Sequence, residues 1–458
     1  MRGKYLRRRG AMIAGAMALA ATGMPCLAQD AMRPADVGRM EQVVRSYVDS
    51  KRFMGSVLVA RDGRVLLDKG YGYADLEWNI PNDPDTIFRL GSVTKQFTAA
   101  AILLLEERGK LKTSDPVSTY LPDAPTAWAK ITIFNLLTHT SGIPNYTEFA
   151  DFPRTEPFPT TPAQLVARFE AKPLDFQPGE KWAYSNSNYA LLGLLIEKVS
   201  GQSYRDFLQQ NIFTPLKMSH SGYDSNAAII PHRASGYAPG PNGPQHAGYT
   251  DMTIPYAAGA LYSTTRDLRL WEEALYGGKL LSAASLKKMT TPFLSGYAFG
   301  LFAGQNGGHA VFSHSGGIEG FNTYLAYYPD EKMVVAVLGN LNGDAPDRIG
   351  GQLAAIVHGE TVVLPSERHE MAVDPHVLAT YVGNYELAPG FVIAVTLENG
   401  QLMGQATGQP KFPLFAESPT SFFLKVVDAQ IEFTKDKAGA VTGLILHQGG
   451  RDMPAPRK

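Results

Sequence analysis

Cysteine is nearly absent from this chain of 458 residues, in which Cys26 is the single occurrence. One thiol cannot form an internal disulfide, and a metal site built from several cysteines is excluded as well. Cys26 also lies in an N-terminal segment that we expect to be removed on export. We therefore expect no thiol nucleophile, no metal and no other cofactor, so that any chemistry has to use oxygen and nitrogen groups.

An excess of either charge is also lacking, because 42 Lys and Arg residues stand against 43 Asp and Glu residues. Removal of residues 1–28 would take away five basic residues and no acidic one, which leaves 37 against 43 and a net charge of −6. A mildly acidic chain without a basic stripe is not expected to bind nucleic acid or anionic lipid.

Long apolar runs are missing apart from one near the N-terminus. Within residues 1–28, the basic residues Arg2, Lys4 and Arg7 to Arg9 precede an apolar run of about a dozen residues that ends near small residues. This pattern predicts a removable signal peptide, too short to span a bilayer, and hence a periplasmic or secreted protein without stable membrane insertion. The run of three arginines is a weak match to twin-arginine export.

Strand patterns lie at both ends of residues 30–362, with helical patterns between them. GSVLVA and RVLLDKGYGY flank Asp62-Gly63 and predict a β-hairpin. HAVFSH, GFNTYLAYYPD and EKMVVAVLGN predict three antiparallel strands. Residues from about 112 to 230 show only helical and loop signals. We therefore predict an α/β (α+β) domain, in which an antiparallel sheet built from distant segments is flanked by helices and carries an inserted helical subdomain, with a cleft at the seam.

The remainder of the chain has a different pattern. Residues 363–375 have linker composition, and residues 376–458 are strand-like, with a strong hairpin signal at Asn399-Gly400. We predict a small all-β, barrel-like domain there. Two loops of the first domain, IPNYTEFADFPRTEPFPTTP and PHRASGYAPGPNGPQHAGYTDMTIPY, could either rim the cleft or merely connect helices.

Three short motifs could meet in the cleft. They are Ser92-Val93-Thr94-Lys95, Tyr184-Ser185-Asn186 and His314-Ser315-Gly316-Gly317, the last at the turn between the first two of the late strands. A serine hydroxyl is a poor nucleophile until a base takes its proton, and lysine or tyrosine can be that base where the surroundings stabilise the basic form. A serine at a helix start presents its N–H to an oxyanion, and consecutive glycines let a second N–H approach.

Each motif also has an ordinary structural explanation. Ser92 could be a helix N-cap, and His314 could be a satisfied histidine on a strand. The Ser-x-x-Lys spacing recurs at Ser285 and Lys288. His139, in LLTHTSGIP, is expected to be structural or to lie near the site. The spacing of residues alone does not decide between these readings.

Taken together, the motifs and their context resemble the serine β-lactamase and penicillin-binding protein superfamily, specifically the class C β-lactamase-like serine hydrolases of the peptidase S12 type. The similar segments cover about residues 35–360 and include FRLGSVTKQFTAAAILLLEERGKL, LLTHTSGIP, PGEKWAYSNSNYALLG, GALYSTTRDL and HSGGIEGFNTYLAYYPDEKMVVAVLGN. The tail resembles the lipocalin-like β domain that some of these hydrolases carry. The resemblance, and not the spacing, favours the pair at Ser92 and Lys95 over the pair at Ser285 and Lys288.

The resemblance implies roles for the residues of the three motifs. They are an acylated nucleophile at Ser92, its activating lysine at Lys95, a base at Tyr184, substrate binding by Asn186, His314, Ser315 and Gly316, and an oxyanion hole formed by the backbone N–H groups of Ser92 and Gly317. No metal or other cofactor is implied.

His314 departs from the class C β-lactamases, which have a lysine at this position that recognises a substrate carboxylate. A histidine is mostly neutral above a pH of about 6.5. Efficient β-lactam hydrolysis is therefore not expected, and a histidine here is familiar in esterase and D-amino-acid peptidase relatives of the family. The resemblance thus implies a D-amino-acid peptidase, similar to D-Ala-D-Ala carboxypeptidases, or an esterase, which acts on a small peptide, ester or β-lactam. The alternatives are a class C-like β-lactamase and a non-hydrolysing penicillin sensor or scaffold. The sequence leaves the oligomeric state open.

Overall fold

The computed structural model describes residues 34–426, 429–448 and 451–458 of the chain. The signal peptide predicted at residues 1–28 lies outside these residues and stays a prediction. Within the described ranges, no helix has the length and apolar character needed to cross a membrane.

Helices and strands are numbered in chain order. The α-helices are α1 Pro34–Asp49, α2 Thr94–Glu107, α3 Ile133–Leu137, α4 Phe152–Thr155, α5 Pro162–Glu170, α6 Asn186–Ser200, α7 Tyr204–Leu208, α8 Thr214–Leu216, α9 Tyr256–Gly259, α10 Thr265–Tyr276, α11 Ala283–Thr290, α12 Ala345–Val357 and α13 Pro375–Thr380. The strands are β1 Gly55–Arg61, β2 Arg64–Tyr71, β3 Tyr73–Asp75, β4 Ile80–Pro81, β5 Phe88–Arg89, β6 Gly222–Tyr223, β7 Tyr237–Gly240, β8 Gly243–His246, β9 Leu261–Ser263, β10 Phe302–Asn306, β11 His309–Ile318, β12 Phe321–Tyr328, β13 Met333–Gly339, β14 Gly383–Ala388, β15 Phe391–Glu398, β16 Gln401–Ala406, β17 Lys411–Ala416, β18 Ser421–Phe423, β19 Ala429–Lys435, β20 Val441–Gln448 and β21 Arg451–Pro456.

Six strands from distant parts of the chain form the central sheet. They run in the order β10-β11-β12-β13-β1-β2, and every neighbouring pair is antiparallel. β1 pairs with β13 from Gly55 opposite Gly339 to Arg61 opposite Met333. The predicted sheet of distant segments is therefore confirmed. The edge strand β10 is largely exposed, so it lacks the apolar pattern that would have predicted it.

Helices cover both faces of this sheet because its central strands are apolar on both sides. Val57 and Val59 of β1 belong to the core that also contains side chains of α1 and α12. Leu58, on the other face, belongs to the larger core around α2 and α6. Every residue of α2 from Thr94 to Leu105 is buried. α2 is thus an internal helix, and a polar side chain on it needs a specific partner.

The segment from about residue 112 to 230 is built from helices and loops, with one exception. A capping box of Thr161 and Gln164 starts α5, and Gly201 ends α6 in the left-handed conformation. The exception is β6, which pairs with β9 and corrects the prediction of helices and loops alone. A strand of two residues has no periodic pattern, so the sequence does not reveal it.

The prediction that His314 to Gly317 form a turn is wrong. β11 continues to Ile318 in register with β12. The turn that joins these strands is Glu319-Gly320, in which Gly320 has a φ of +83°. Adjacent glycines are typical of turns, but here they lie inside a strand, where they let another part of the backbone come close.

The C-terminal strands form a second sheet that is nearly closed on itself. β14 to β21 are antiparallel and follow one another in chain order. The first and last strands meet through a bridge between Tyr385 and Arg457, and the amide of Lys458 donates to the carbonyl of Asn384 at 2.9 Å. The predicted barrel-like β architecture is therefore confirmed.

Candidate active site

Ser92 lies in a 3-10 turn, Gly91–Val93, that leads directly into α2. Gly91 has a φ of +52°, a conformation that favours glycine. A Cβ on Gly91 would also lie 2.8 Å from the backbone nitrogen of Gly317, too close for any side chain. The turn therefore fits tightly against β11, and the half-buried Ser92 remains accessible at the end of a buried helix.

The end of β11 runs along this turn at backbone contact distance. A Cβ on Gly316 would lie 2.0 Å from the carbonyl oxygen of Leu90. Thr323 of β12 donates to the same oxygen at 2.8 Å. The next residue, Gly317, lines the same cleft as Ser92. The close packing of the two glycines on the turn thus places Ser92 and Gly317 in the lining of the same cleft.

Lys95 is one turn along α2 from Ser92 and is fully buried. Its Nζ lies 2.9 Å from Oγ of Ser92, 2.8 Å from Oδ1 of Asn186 and 2.8 Å from the carbonyl oxygen of Ala258. All three partners are uncharged. Burial therefore lowers the pKa of Lys95 well below the usual lysine value, and the site favours the neutral, basic amine.

Tyr184 also contacts Ser92, because its hydroxyl donates to Oγ of Ser92 at 2.7 Å. Tyr184 stands two residues before α6, and its ring centroid lies 4.8 Å from Nζ of Lys95. Burial raises the pKa of Tyr184 well above the usual tyrosine value, although the hydrogen bond to Ser92 acts in the opposite direction. Tyr184 is therefore a neutral phenol that donates to the serine.

Asn186, the first residue of α6, joins Lys95 to a neighbouring loop. Its Oδ1 accepts from Lys95, its Nδ2 donates to Oγ1 of Thr147 at 3.2 Å, and its backbone N–H donates to Oδ1 of Asn145 at 3.0 Å. Sequence reasoning missed Asn145 and Thr147. Their single signal in the sequence is their place in IPNYTEF, a loop expected either to rim the cleft or to connect helices.

His314 is buried against Tyr297. Its Nδ1 donates to the carbonyl oxygen of Ser315 at 2.6 Å, which leaves Nε2 to accept from the hydroxyl of Tyr297 at 3.1 Å. Burial, and then the nearby Lys95, lower the pKa of His314 to about 3. His314 is therefore neutral at physiological pH and lacks the fixed positive charge of a lysine.

Ser315 faces the opposite side of the sheet, because side chains alternate along a strand. Its hydroxyl donates to the carboxylate of Asp347 on α12. Of the four residues in HSGG, Gly317 is the one that lines the cleft described below. The substrate-binding roles of His314, Ser315 and Gly316 stay predictions.

His139 supports Tyr184 from within the core. Its ring centroid lies 4.4 Å from that of Tyr184, and its Nδ1 accepts from the backbone N–H of Ser185 at 3.2 Å. Burial, and then the nearby Lys95, lower the pKa of His139 well below the usual value, so the ring is neutral. His139 thus lies beside the three motifs without lining the cleft.

A cleft of about 460 Å³ opens over Ser92. The two long loops both contribute to its walls, the first through Tyr146 and Thr147 and the second through Thr250 and Ile254. Both loops therefore rim the cleft, and they do more than connect helices. The lining residues are Gly91, Ser92, Tyr146, Thr147, Phe152, Glu156, Asn186, Thr250, Ile254, Pro255, Ala258, Gly259, Gly317, Ile318, Glu319 and Asn342.

Two carboxyl groups share one hydroxyl on the wall of this cleft. Oγ1 of Thr250 lies 2.7 Å from Oε1 of Glu156 and 2.7 Å from Oε2 of Glu319. A hydroxyl has one proton, so it can donate to one of the two carboxyl groups at a time. Burial, together with the hydrogen bond to Glu319, raises the pKa of Glu156 to about 7. Glu156 therefore holds a proton up to a pH of about 7.

Comparison with protein families divides the chain at the same place as the fold. A family model described as Beta-lactamase matches residues 40–360, which is more than half of the chain and includes all three motifs. A second model, described as a domain of unknown function (DUF3471), matches residues 367–455, the region of the barrel.

Individual relatives extend these matches. The chain is 32% identical over 437 residues to a penicillin-binding protein of Bacillus subtilis (strain 168), which covers 89% of this chain and 96% of the relative. A solved octameric penicillin-binding protein homologue from Pyrococcus abyssi has a TM-score of 0.66 at 28% identity, covering 92% of this chain and 100% of that one. A D-stereospecific amidohydrolase from Streptomyces sp. has a TM-score of 0.59 at 30% identity, covering 71% and 99%.

Proposed function

We propose a substrate class and a mechanism for this chain, which belongs to the beta-lactamase family and is a serine hydrolase. It cleaves short amide, peptide or ester substrates through an acyl-enzyme at Ser92. The observation that carries the proposal is the position of Oγ of Ser92, 2.9 Å from Nζ of Lys95 and 2.7 Å from the hydroxyl of Tyr184, at the base of an open cleft. A nucleophile within hydrogen-bonding distance of a base and a proton donor can undergo acylation.

The hydrogen-bond partners of Lys95 support a neutral amine that takes the proton of Ser92. A neutral amine has two N–H groups and one lone pair. The carbonyl oxygens of Asn186 and Ala258 can only accept, so they take the two N–H groups. The lone pair is left for the hydroxyl of Ser92. As the serine oxygen bonds to the substrate carbonyl carbon, its proton passes to Lys95, which becomes an ammonium.

Tyr184 donates the second proton. Its raised pKa keeps it protonated, and its hydroxyl already points at Oγ of Ser92. When the bond between the carbonyl carbon and the leaving nitrogen breaks, Tyr184 protonates that nitrogen, and the ammonium of Lys95 restores the phenol. The family resemblance implies that Tyr184 is a base, whereas the two pKa directions favour Lys95 for the first proton and Tyr184 for the second.

The oxyanion of the tetrahedral intermediate binds to backbone donors in this proposal. The N–H groups of Ser92 and Gly317 are the proposed donors, because the close packing of Gly91 on Gly317 brings both to the cleft. Backbone donors that are fixed before the reaction stabilise charge without a reorganisation cost. In deacylation, the oxygen of a water molecule bonds to the acyl carbon and the proton of the water passes to Lys95. The bond from that carbon to Oγ of Ser92 then breaks, Lys95 returns the proton to Oγ, and the acid product leaves.

The charges around the cleft favour a substrate with a free amino group. His314 is neutral and buried, so it supplies no cation for a substrate carboxylate, which disfavours a class C-like β-lactamase. Glu156 and Glu319 instead supply negative charge on the cleft wall. The similar Streptomyces structure is that of a D-stereospecific amidohydrolase. We therefore propose that the substrates are amides or short peptides of D-amino acids with a free amino end.

The acyl-enzyme can be tested by labelling the chain with a fluorophosphonate and measuring its intact mass. We expect one label per chain, loss of labelling in Ser92→Ala, and normal labelling in the matched variant Ser285→Ala. Labelling of Ser92→Ala at the unchanged rate would contradict the proposal. The substrate class can be tested by comparing rates on a D-amino-acid nitroanilide, its N-acetyl form, a short acyl ester and nitrocefin. The nitroanilide with the free amino group should react fastest.

We also propose that the chain is exported from the cytoplasm. The basic residues and the apolar run within residues 1–28 support a removable signal peptide and a periplasmic or secreted location. N-terminal sequencing of the chain recovered outside the cytoplasm should begin just after Ala28. Recovery of the chain with residues 1–28 intact in the cytoplasm would contradict this.

A further inference from the structure

Two histidines and two glutamates meet at the corner of the central sheet where β11 begins. His309 starts β11, His358 directly follows α12, Glu360 is two residues further on, and Glu331 lies in the turn between β12 and β13. We call these four residues the corner cluster. We propose that the corner cluster binds a divalent transition-metal ion, with Zn²⁺ as the ion to test.

The site is separate from the cleft around Ser92. Gly317, which lines that cleft, is eight residues after His309 on the same strand. Strands rise about 3.3 Å per residue, so the two ends are about 26 Å apart. A metal at the corner cluster would therefore have a structural role, and the inference does not depend on the proposed hydrolysis.

The ligand atoms are already close together. One ring nitrogen from each histidine and one carboxylate oxygen of Glu360 lie within 4.8 Å of one another. Oε1 of Glu331 lies 2.9 Å from Nδ1 of His309 and 3.7 Å from Nε2 of His358. In a tetrahedral zinc site with bonds of about 2.0–2.1 Å, ligand atoms are about 3.4 Å apart. The ligand atoms are therefore within about 1.5 Å of the spacing that such a site requires.

A buried ring nitrogen that lacks a hydrogen bond points to a ligand here. Nε2 of His358 has no hydrogen-bond partner, although the side chain is only 2% exposed. Oε2 of Glu331 is buried without a partner as well. Buried polar atoms are nearly always satisfied, because leaving them unpaired is unfavourable. An ion bound between the cluster residues would give Nε2 of His358 the partner that it lacks.

The charge of the cluster also suits a metal. Glu331 and Glu360 can balance the charge of a divalent ion. A set of imidazole and carboxylate ligands fits Zn²⁺ and its transition-metal neighbours better than Ca²⁺ or Mg²⁺, which favour all-oxygen sites.

Binding requires one local rearrangement. The rings of His309 and His358 are stacked, with centroids 3.6 Å apart and planes within 5° of parallel. Nitrogen lone pairs lie in the ring planes, so two parallel rings cannot point at a shared ion. The stack has to open, with the rings tilting towards each other. An ion held there would fix the end of α12 to β11 and to the turn between β12 and β13.

The test is calorimetric titration of the tag-free, chelator-treated full chain with zinc sulfate, combined with thermal unfolding. We expect one ion per chain and a rise in Tm of at least about 2 °C at saturating Zn²⁺. His309→Ala and His358→Ala should each weaken binding at least about 10-fold. The matched control is His246→Ala. Nε2 of His246 lies 2.9 Å from Oε1 of Glu77 in an exposed pair, which is not part of the corner cluster. This control should bind Zn²⁺ like the unchanged chain.

Two results would overturn the inference. One is less than half an equivalent of bound ion in the unchanged chain at 100 µM Zn²⁺, a concentration on the order of ten times the Kd expected for a useful site. The other is unchanged affinity in both histidine variants. If either variant does not fold, the proposal is tested in the unchanged chain by measuring the modification of its histidines with diethyl pyrocarbonate. Zn²⁺ should protect His309 and leave His246 reactive, and equal modification with and without the ion would contradict the proposal.

Discussion

The chain contains two serine–lysine pairs with the same spacing near helix starts, and their surroundings differ sharply. In the first, Lys95 is fully buried among uncharged oxygens and lies 2.9 Å from the hydroxyl of Ser92. In the second, Lys288 is half exposed, and its Nζ lies 2.9 Å from a carboxylate oxygen of Glu106. Ser285 is buried inside the helix start, where its backbone N–H donates to a capping serine at 3.2 Å.

The difference indicates that the environment of the lysine, and not its spacing from the serine, decides whether a neutral amine is favoured. An ion pair with Glu106 uses the charged form of Lys288, which has no lone pair to accept a proton. Burial without a counter-charge favours the uncharged form of Lys95. A hydroxyl also has to be open to a substrate, and Ser92 lines the cleft whereas Ser285 is buried. We therefore expect the same four-residue pattern to be reactive in one place and structural in the other.

The largest effect should come from replacing the lysine of the first pair, with the lysine of the second pair as the matched control. Lys95→Met should lower the acylation rate on the order of 1000-fold, because Ser92 then loses its proton acceptor. Lys288→Met should change the rate less than about twofold and lower the free energy of unfolding by under about 1 kcal/mol, since an exposed ion pair contributes little. Single-turnover kinetics with an ester measure the acylation rates of both variants. Retention of a tenth of the rate in Lys95→Met would contradict the account.

Removal of Tyr184, the proposed proton donor to the leaving group, should have the next largest effect. Tyr184→Phe should slow cleavage of amides about 100-fold, because the leaving nitrogen needs a proton. An ester with an activated leaving group should slow less than about 10-fold. The comparison of kcat for the two substrates measures this. Equal losses on both substrates would mean that Tyr184 acts as the base in the first step.

Two glycine variants distinguish the displacement of a proposed oxyanion donor near Ser92 from ordinary backbone strain. Gly91→Ala should lower kcat about 100-fold, because a Cβ would lie 2.8 Å from the nitrogen of Gly317 and push a proposed oxyanion donor away. The matched control is Gly278→Ala, which has a φ of +69° but open space around a Cβ. The positive φ should cost both variants about 1–2 kcal/mol of stability, and Gly91→Ala should lose more because its Cβ also contacts Gly317. A comparable loss of kcat in both variants would show that backbone strain alone is responsible.

The smallest effect concerns the carboxyl pair on the cleft wall. Glu156→Gln should raise KM about 10-fold for a substrate with a free amino group and leave the N-acetyl form unchanged. In the unchanged chain, the pair loses its proton as pH rises through about 7, so KM for the amine should fall between pH 6 and 7.5. The variant should show a flat profile in that range. An equal rise in KM for the N-acetyl substrate would point to a change in shape instead of charge.

The sequence predicts the residues that meet at the candidate site better than their surroundings. Ser92, Lys95 and Tyr184 carry short motifs whose context resembles a family, so their meeting could be expected. Glu156 and Thr147 come from long loops without a pattern, and their positions depend on tertiary packing that no local signal encodes.

His314 illustrates the same limit within a motif. Its residue type indicates that the usual lysine is missing, but its burial against Tyr297 depends on the direction of β11. The sequence places HSGG in a turn because glycine pairs favour turns. In the fold, these glycines serve the close approach of the strand to Leu90, a contact between residues that are far apart in the chain.

The most direct test of the central claim is the pH dependence of the rate at which an uncharged fluorophosphonate labels Ser92, with the labelled peptide identified by mass spectrometry. If burial makes Lys95 the neutral base, the label should be on Ser92 and the rate should be near its maximum at pH 7, falling only as Lys95 becomes protonated at lower pH. A rate that keeps rising up to about pH 10.4, the value for an ordinary lysine, would contradict the account, as would a label on any other residue.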